Sequence, residues 1–551
     1  MTDRWTPSQL AGTLRWVLSL EYAGGTWYLG QESITIDDGT GGTIVISDGL
    51  LDLADTTETL DLWSTDSPRR SVPVEFDLGV DVATLIEEGH DLAGCVAELA
   101  QLADGDDWSA RRPFVAGRLQ EPQYGADGEG VRASIEQDVL SSDETIDVST
   151  VIGQDVLDAL VATGVFIVYV VDPTAGLIAP TYDRVAPIII GAPGGGASSG
   201  SPARHIAYVE DATTGAISLV WLLAGHAVAA TSVTLRNTDD DTSGLVPVVN
   251  LTLSGTQIAV GLYPLAAATL NYLGPITATW DAGGGLLDET GGVLHTAGDY
   301  LAWLLRLTEQ QVDHGRTNAA RDALRAFTIG TYLDESVTVA DYIREAVLDI
   351  VPVSLAVGPR GVYPYVWRWD ATATDAVAHF DVTEDPDIER EGLVTYEDGD
   401  RIVNTLQLLY QWNPQTEAYG AEIWAVGDPA SRPRGLRFGG STATLTRSYW
   451  ADPVLATSVG RYGIRRETLE TAIVADVLTA EHVLAWRSRR WALPSRVVDY
   501  TCPQRWAWIE PGDLVTVTDP DLAWSERLCL VQSRAWASDG SVRYTLRVQE
   551  G

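Results

Sequence analysis

The residues best equipped for chemistry are scattered along the chain. His90, His205, His226, His295, His314, His379 and His482 form no HExxH motif and no pair at metal-ligand spacing on a helix. Neighbouring acids such as Glu87-Glu88 and Asp106-Asp107 imitate the carboxylate pair of a glycosidase. Among 77 acidic residues such neighbours arise by chance, and a solvated surface explains them better. Asp239, Asp240 and Asp241, within 238–244 (TDDDTSG), come nearest to a calcium loop but lack its full spacing and its closing glutamate. Gly194-Gly195-Gly196 lacks the lysine and helix of a phosphate loop, and no serine nucleophile elbow is expected. Cys95, Cys502 and Cys529 lie far apart with no CxxC spacing and are read as buried reduced thiols. Catalytic residues, cofactor-binding residues and metal ligands are therefore all read as none, and no cofactor is expected.

The tryptophans have two possible uses. Trp486, Trp491, Trp506, Trp508, Trp524 and Trp536 crowd the last part of the chain, and Trp367 and Trp369 are placed on one strand face by their spacing. Exposed tryptophan serves as a sugar platform, but cores and subunit interfaces use it more often, and that is the reading preferred here.

The elements that must position these residues are mostly strands. With 551 residues the chain is long enough for three to five domains with sizeable cores. Its 52 glycines and 25 prolines, among many short alternating runs, favour a β-rich architecture. The expected fold is mainly β (α+β) and multidomain, in four blocks: 1–150, 151–300, 301–391 and 392–551. In the first, strands are expected at 16–24, 26–36, 115–119 and 131–137, with a helix over 82–102. The second is β-like, with strands at 231–235 and 251–262 and a Gly/Ser loop at 194–201. The third is a small α/β unit with a helix from Asp299 to Leu307 and another over 338–350 (TVADYIREAVLDI). In the latter Thr338 and Asp341 form a capping box, and Val339, Ile343, Val347 and Ile350 share one face. A hairpin turning at 358–361 follows. The last block has strands at 405–412 and 421–426 and a helix over 471–491 closed by Pro494. Then come a strand at 497–501, a turn at Glu510-Pro511-Gly512-Asp513, a strand at 514–518, and a closing hairpin of 529–536 and 541–549 around Asp539-Gly540. Strands, one helix and strands thus occur twice, as two β-barrel-plus-helix modules would leave them.

Charge narrows the function. The net charge is −41, and no lysine occurs, so all 36 basic residues are arginine. Such a surface argues against a basic nucleic-acid groove and against docking on an anionic membrane. If three copies surrounded a channel, an acidic wall would repel phosphates and let DNA slide; a general bias toward solubility and salt tolerance explains the charge equally well. The start, MTDRWTPSQL, has no basic-then-apolar signal, and the longest apolar stretch, 156–171, is broken at Asp158, Thr163 and Gly164. A soluble protein made in a cytoplasm without export, with no stable membrane association, is expected.

The last block carries a resemblance. The residues Thr479-Ala480, Ala485-Trp486, 509–513 and 515–519 follow the order "tA…A…W", then "L-x-P-G-D-x-V-x-V-T-D", then a closing hairpin. Upstream, 337–343 follows "x-T-V-x-D-x-I" ahead of a glycine-centred hairpin, and Ala192-Pro193 follows an apolar run. This arrangement is similar to the baseplate hub proteins of phage tails, of the siphophage or gene-transfer-agent-like kind. The resemblance implies a non-enzymatic virion structural protein, a homotrimer presenting two tail-tube-like barrels per subunit to a sixfold tail tube. Its partners would be distal tail or tail tube rings and tip or fibre proteins, with DNA passing through the lumen unbound. It would be located in the tail baseplate and assembled in the host cytoplasm. Some tail-tip proteins hold an iron–sulfur cluster on clustered cysteines, which this sequence lacks. The alternatives are a tail-associated cell-wall glycan hydrolase and a carbohydrate-binding adhesin.

Overall fold

The computed structural model describes residues 13–22, 25–53, 56–59, 70–77, 92–124, 130–137, 144–146, 148, 154–169, 187–191, 200–253, 257–267, 269–272, 275–280, 285–287, 292–308, 312–358, 361–397, 401–413, 417–427, 446–537 and 541–549. The chain is mainly β and multidomain, with several separate sheets, as its composition predicts. Asp539-Gly540, Ala192-Pro193, residues 194–199, His90 and Glu87-Glu88 lie outside the described residues.

The first sheet has nine strands. Its centre is Leu14–Tyr22, Val96–Ala103, Arg112–Tyr124 and Gly130–Gln137, all antiparallel neighbours. Val96–Ala103 corrects the sequence reading, which places 96–102 at the end of a helix; residues 82–91 of that span are not among those described. The run VAELAQLA is rich in helix formers, but helix propensity is a weak preference. Two flanking ladders bury Ala97, Leu99, Ala100 and Leu102 completely or nearly so, and that packing decides the outcome.

The second sheet has eight strands and is buried on both faces along its middle. In Ile217–Ala224, Leu219, Trp221 and Leu223 join one core, while Val220 and Leu222 join another beneath the helix Gln154–Ala162. The alternating stretch expected at 251–262 is the end of one strand, Ser243–Thr252, and most of its antiparallel partner, Gln257–Pro264.

Most of the remaining segments divide between two large cores, with a small cluster of Ala356, Tyr363, Leu514 and Leu530 beside them. One gathers the helices Ala297–Leu307, Val339–Tyr342 and Val477–Trp491 against the strands Thr405–Asn413 and Ala418–Val426. The other combines the nine-stranded sheet with a seven-stranded one made of 378–548 segments and Thr56–Thr59. Leu18, Leu99 and Ile135 share it with Val498, Tyr500, Val531 and Leu546. Thr56–Thr59 pairs directly with Trp524–Trp536, and Trp16 meets Trp536 edge-on at 6.1 Å between ring centroids.

Two local readings are refined. The helix expected over 338–350 is present, but after Val339–Tyr342 it widens into a π-helical turn, Ile343–Leu348. Val339, Ile343, Val347 and Ile350 are all buried, so the apolar face is as expected. The capping box is not formed: the Thr338 hydroxyl donates to the Asp341 carboxylate and caps no backbone amide. Trp367 and Trp369 follow the strand Gly361–Val366 instead of lying on it, and both pack against the helical core.

Candidate functional site

The stretch 446–530 is built as strand, helix, strand, helix and then sheet, with both helix starts fixed by an aspartate. Asp452 accepts from the Val454 amide at 2.9 Å and starts the helix Pro453–Tyr462, whose proline sits where no amide partner is needed. Gly463, at φ 71°, ends it. The strand Arg466–Glu470 then runs parallel to Thr405–Asn413. The next helix begins six residues later than the apolar pattern suggests, at Val477, because Asp476 caps it by accepting from the Thr479 amide at 2.9 Å. The Thr328 hydroxyl also donates to Asp476, and the Thr328 amide donates to Thr479 Oγ1 at 3.1 Å, so the cap is shared with a segment about 150 residues upstream.

Along Val477–Trp491, Val483 and Leu484 are fully buried, each contributing about 1.5–3 kcal/mol by removal from water. Trp486 donates its indole N–H to the Ile350 carbonyl at 2.9 Å. Arg487 donates to the backbone and carboxylate of Asp349. Burial holds its guanidinium below the usual arginine value, and Asp349 opposes that shift. Arg490 lies 4.5 Å from the centroid of the Trp491 ring and 5.8 Å from that of Trp367.

The turn at 510–513 is a half-buried joint. Asp513 accepts from the Glu510 amide at 2.8 Å, the Gly512 amide donates to the Val531 carbonyl at 2.8 Å, and Gly512 adopts φ 95°. The Tyr365 ring lies so close that a Cβ on Gly512 would stand 2.7 Å from its Cε2. Arg316 bridges from the neighbouring helix to Glu510 and lies over Tyr363 at 4.4 Å. One strand on, Asp519 is 2% exposed and accepts from the Tyr500 hydroxyl at 2.8 Å and from Arg390 at 2.9 Å. Burial, with Asp519 beside it, pushes the Tyr500 phenol well above its ordinary range. These side chains hold backbone in place; none forms a nucleophile–base pair.

The other residues weighed for chemistry are accounted for by turns and cores. Asp240 accepts from the Thr242 amide at 3.0 Å and from Asn271 at 2.6 Å, and Asp241 pairs with Arg236, so the acids of 238–244 build a hairpin tip. Asp107 accepts from the Ala110 amide at 3.1 Å and starts a short helical turn. His205 is buried beside Tyr208 and Trp221, and His379 lies beside Thr516 and Thr518. Cys502 and Cys529 are buried thiols, and burial pushes the Cys502 thiol up, whereas Cys95 is only half-buried, contrary to the sequence reading. Among the described residues no group of three or more His, Cys, Asp or Glu is placed to hold a metal ion, and no helix is long and apolar enough to cross a membrane. One sequence expectation is corrected by the residues themselves. Gly196-Ala197-Ser198-Ser199-Gly200 does fit the spacing of a nucleophile elbow. Gly200, however, leads into the strand Ser201–Pro202 and not into the helix an elbow requires.

Beside the module lies a cavity of about 620 Å³ that sequence reasoning did not find. Tyr332, Tyr342 and Trp412 contribute aromatic wall, and Asp334, Glu345 and Glu470 are exposed at its edge. Its residues come from strands and turns more than 130 positions apart in part, so no local spacing could reveal it.

Residues 446–530 match the family described as "Putative phage tail protein". This match supports a phage tail protein. The matched span is the strand–helix–strand–helix–sheet module just described, from Thr446–Ala451 into Trp524–Trp536. No curated protein matches the chain. Among solved structures, the tail protein from Neisseria meningitidis MC58 aligns at TM-score 0.34 and 11% identity, covering 97% of this chain and 96% of that one. The prophage MuSo2 43 kDa tail protein from Shewanella oneidensis aligns at TM-score 0.31 and 10% identity, covering 97% and 96%. A chain of the native gene transfer agent virion aligns at TM-score 0.18 and 14% identity, over 50% of this chain and 84% of that one. Scores this low carry no functional argument.

Proposed function

We propose that the chain is the baseplate hub of a phage tail, a non-enzymatic homotrimer that caps the tail tube, adapts its sixfold end to a threefold tip and lines the DNA channel. The observation that carries this reading is the match over 446–530, which falls on a module where Asp476, Trp486 and Asp513 use their polar groups to hold helix and turn backbone. Its partners would be the distal tail or tail tube rings on one side and tip or fibre proteins on the other. The net charge of −41 supports a lumen that repels the phosphate backbone and lets DNA pass without binding.

Apolar residues left at a sheet edge are consistent with contacts between subunits. The edge strand Glu389–Glu397 shifts register between Glu391 and Thr395, where Gly392 takes φ 80°. Leu393 there is 87% exposed and Tyr396 70% exposed.

Light scattering of the purified protein across a range of salt tests the proposal. A particle of three times the 59.3 kDa chain mass, with threefold symmetry in averaged images, is expected. A stable dimer, or a monomer that fails to assemble even on tail tube rings, overturns it.

A further inference from the structure

The cavity beside the phage-tail module has a chemistry of its own. Its apolar wall includes three aromatic rings and its edge is anionic: Tyr332, Tyr342 and Trp412 line it, and Asp334, Asp341, Glu345 and Glu470 stand exposed at its mouth. No arginine lines it among the described residues. The nearby cations are Arg344, which pairs with Asp341 at 3.0 Å, and Arg204, whose charge acts on Tyr332. Trp412 is held by the Tyr419 ring, 4.9 Å away between centroids, and the Tyr419 hydroxyl donates to Glu470 at 3.3 Å, so an aromatic face and a carboxylate are fixed relative to each other. Tyr342 and Glu345 are carried by the helix just where it opens into its π-helical turn, which sets both residues toward the space.

We propose that this cavity receives an arginine side chain presented by a partner protein. A volume of about 620 Å³ suits a side chain and its flanking backbone, and is too wide for a bare ion. A guanidinium is flat and always charged; it stacks on an indole or phenol face while its forked N–H groups reach carboxylates at the edge. The protein uses the same pairing internally, with Arg111 4.5 Å from the Trp108 centroid and also paired to Glu98. The inference rests on the assembly reading only in needing a protein partner, and its test does not depend on whether the chain is a trimer.

The probes are N-acetylarginine amide and its uncharged counterpart N-acetylcitrulline amide, titrated into the full chain and followed by ligand-observed NMR. Binding of the arginine amide in the millimolar range is expected, weakened by added salt, with the citrulline amide failing to bind. The double variant Glu345→Gln/Glu470→Gln should bind roughly three- to tenfold more weakly, the worth of two partly exposed ion pairs, with an unchanged melting temperature. Trp412→Ala should weaken binding independently of salt. Equal binding of the two amides, equal binding by the double variant, or no binding at about 10 mM overturns the proposal. So does displacement of the arginine amide by about 1 mM calcium, which would assign the carboxylates to a divalent cation.

Discussion

Single residues in this protein do mechanical work that their types alone would not suggest. Gly512 combines a left-handed backbone with a tyrosine ring pressed on its Cα, so Gly512→Ala pays both in conformation and in contact. A loss of about 1–3 kcal/mol or more is expected by chemical denaturation; a loss below about 0.5 kcal/mol would show that the turn relaxes freely. Asp519→Asn leaves the Tyr500 hydroxyl without its anion and Arg390 with only the exposed Asp521, and should cost about 3 kcal/mol, whereas Arg390→Leu with Asp519→Asn together should cost less than the two changes summed. His226 supplies a pH dependence. Its Nε2 accepts from the Ile189 amide at 2.9 Å and its Nδ1 donates to the Ala227 carbonyl at 2.8 Å, an arrangement that requires the neutral ring. Burial lowers its folded pKa below the unfolded value of about 6.5, so the unfolded chain binds the extra proton first. Stability from this site is therefore complete above about pH 6.5 and falls as the pH drops below it. His226→Gln should flatten that slope in denaturation curves measured from pH 7 to 5, and an unchanged slope would place the pH dependence elsewhere.

At the scale of elements, caps decide where helices begin. Asp476→Ala removes the acceptor for the Thr479 amide and for the Thr328 hydroxyl, and a cost of about 1–2 kcal/mol is expected, readable as a lowered unfolding midpoint with unchanged helix content in the native baseline. The same cap shows what the sequence makes legible. The helix itself was readable from Val483, Leu484 and Trp491, and the turn and strand after it from Pro511, Gly512, Val515 and Val517. The residues 471–476 were drawn into the helix because Ile473 fits its apolar period, although Asp476 is the capping signal. Pro453–Tyr462 carries a start signal in Asp452-Pro453, but its buried residues are too few to give an apolar period. Val96–Ala103 reads as helix because alanine, leucine and glutamate prefer it; only the flanking strands, distant in sequence, reverse the preference. The cavity is illegible for the same reason, its aromatic and acidic residues meeting only after three separate segments pack together.

For the whole molecule, charge and connectivity matter most. A net charge of −41 repels itself, and the repulsion reaches about 30 Å at 0.01 M salt but only about 8 Å at 0.15 M. The melting temperature should therefore rise over that range of sodium chloride. A fall would mean that ion pairs such as those of Arg132 with Glu75 and Arg543 with Asp499 outweigh the general repulsion.

The core shared by residues near 18–135 and 498–546 also sets an order of events in time. During synthesis the nine-stranded sheet must wait, with one apolar face uncovered, until several hundred further residues have left the ribosome. Closing a loop of that length is slow, and the waiting intermediate is sticky. Refolding in vitro should thus be multiphasic and lose yield as protein concentration rises, and production in cells should improve with added chaperone or slower, cooler expression.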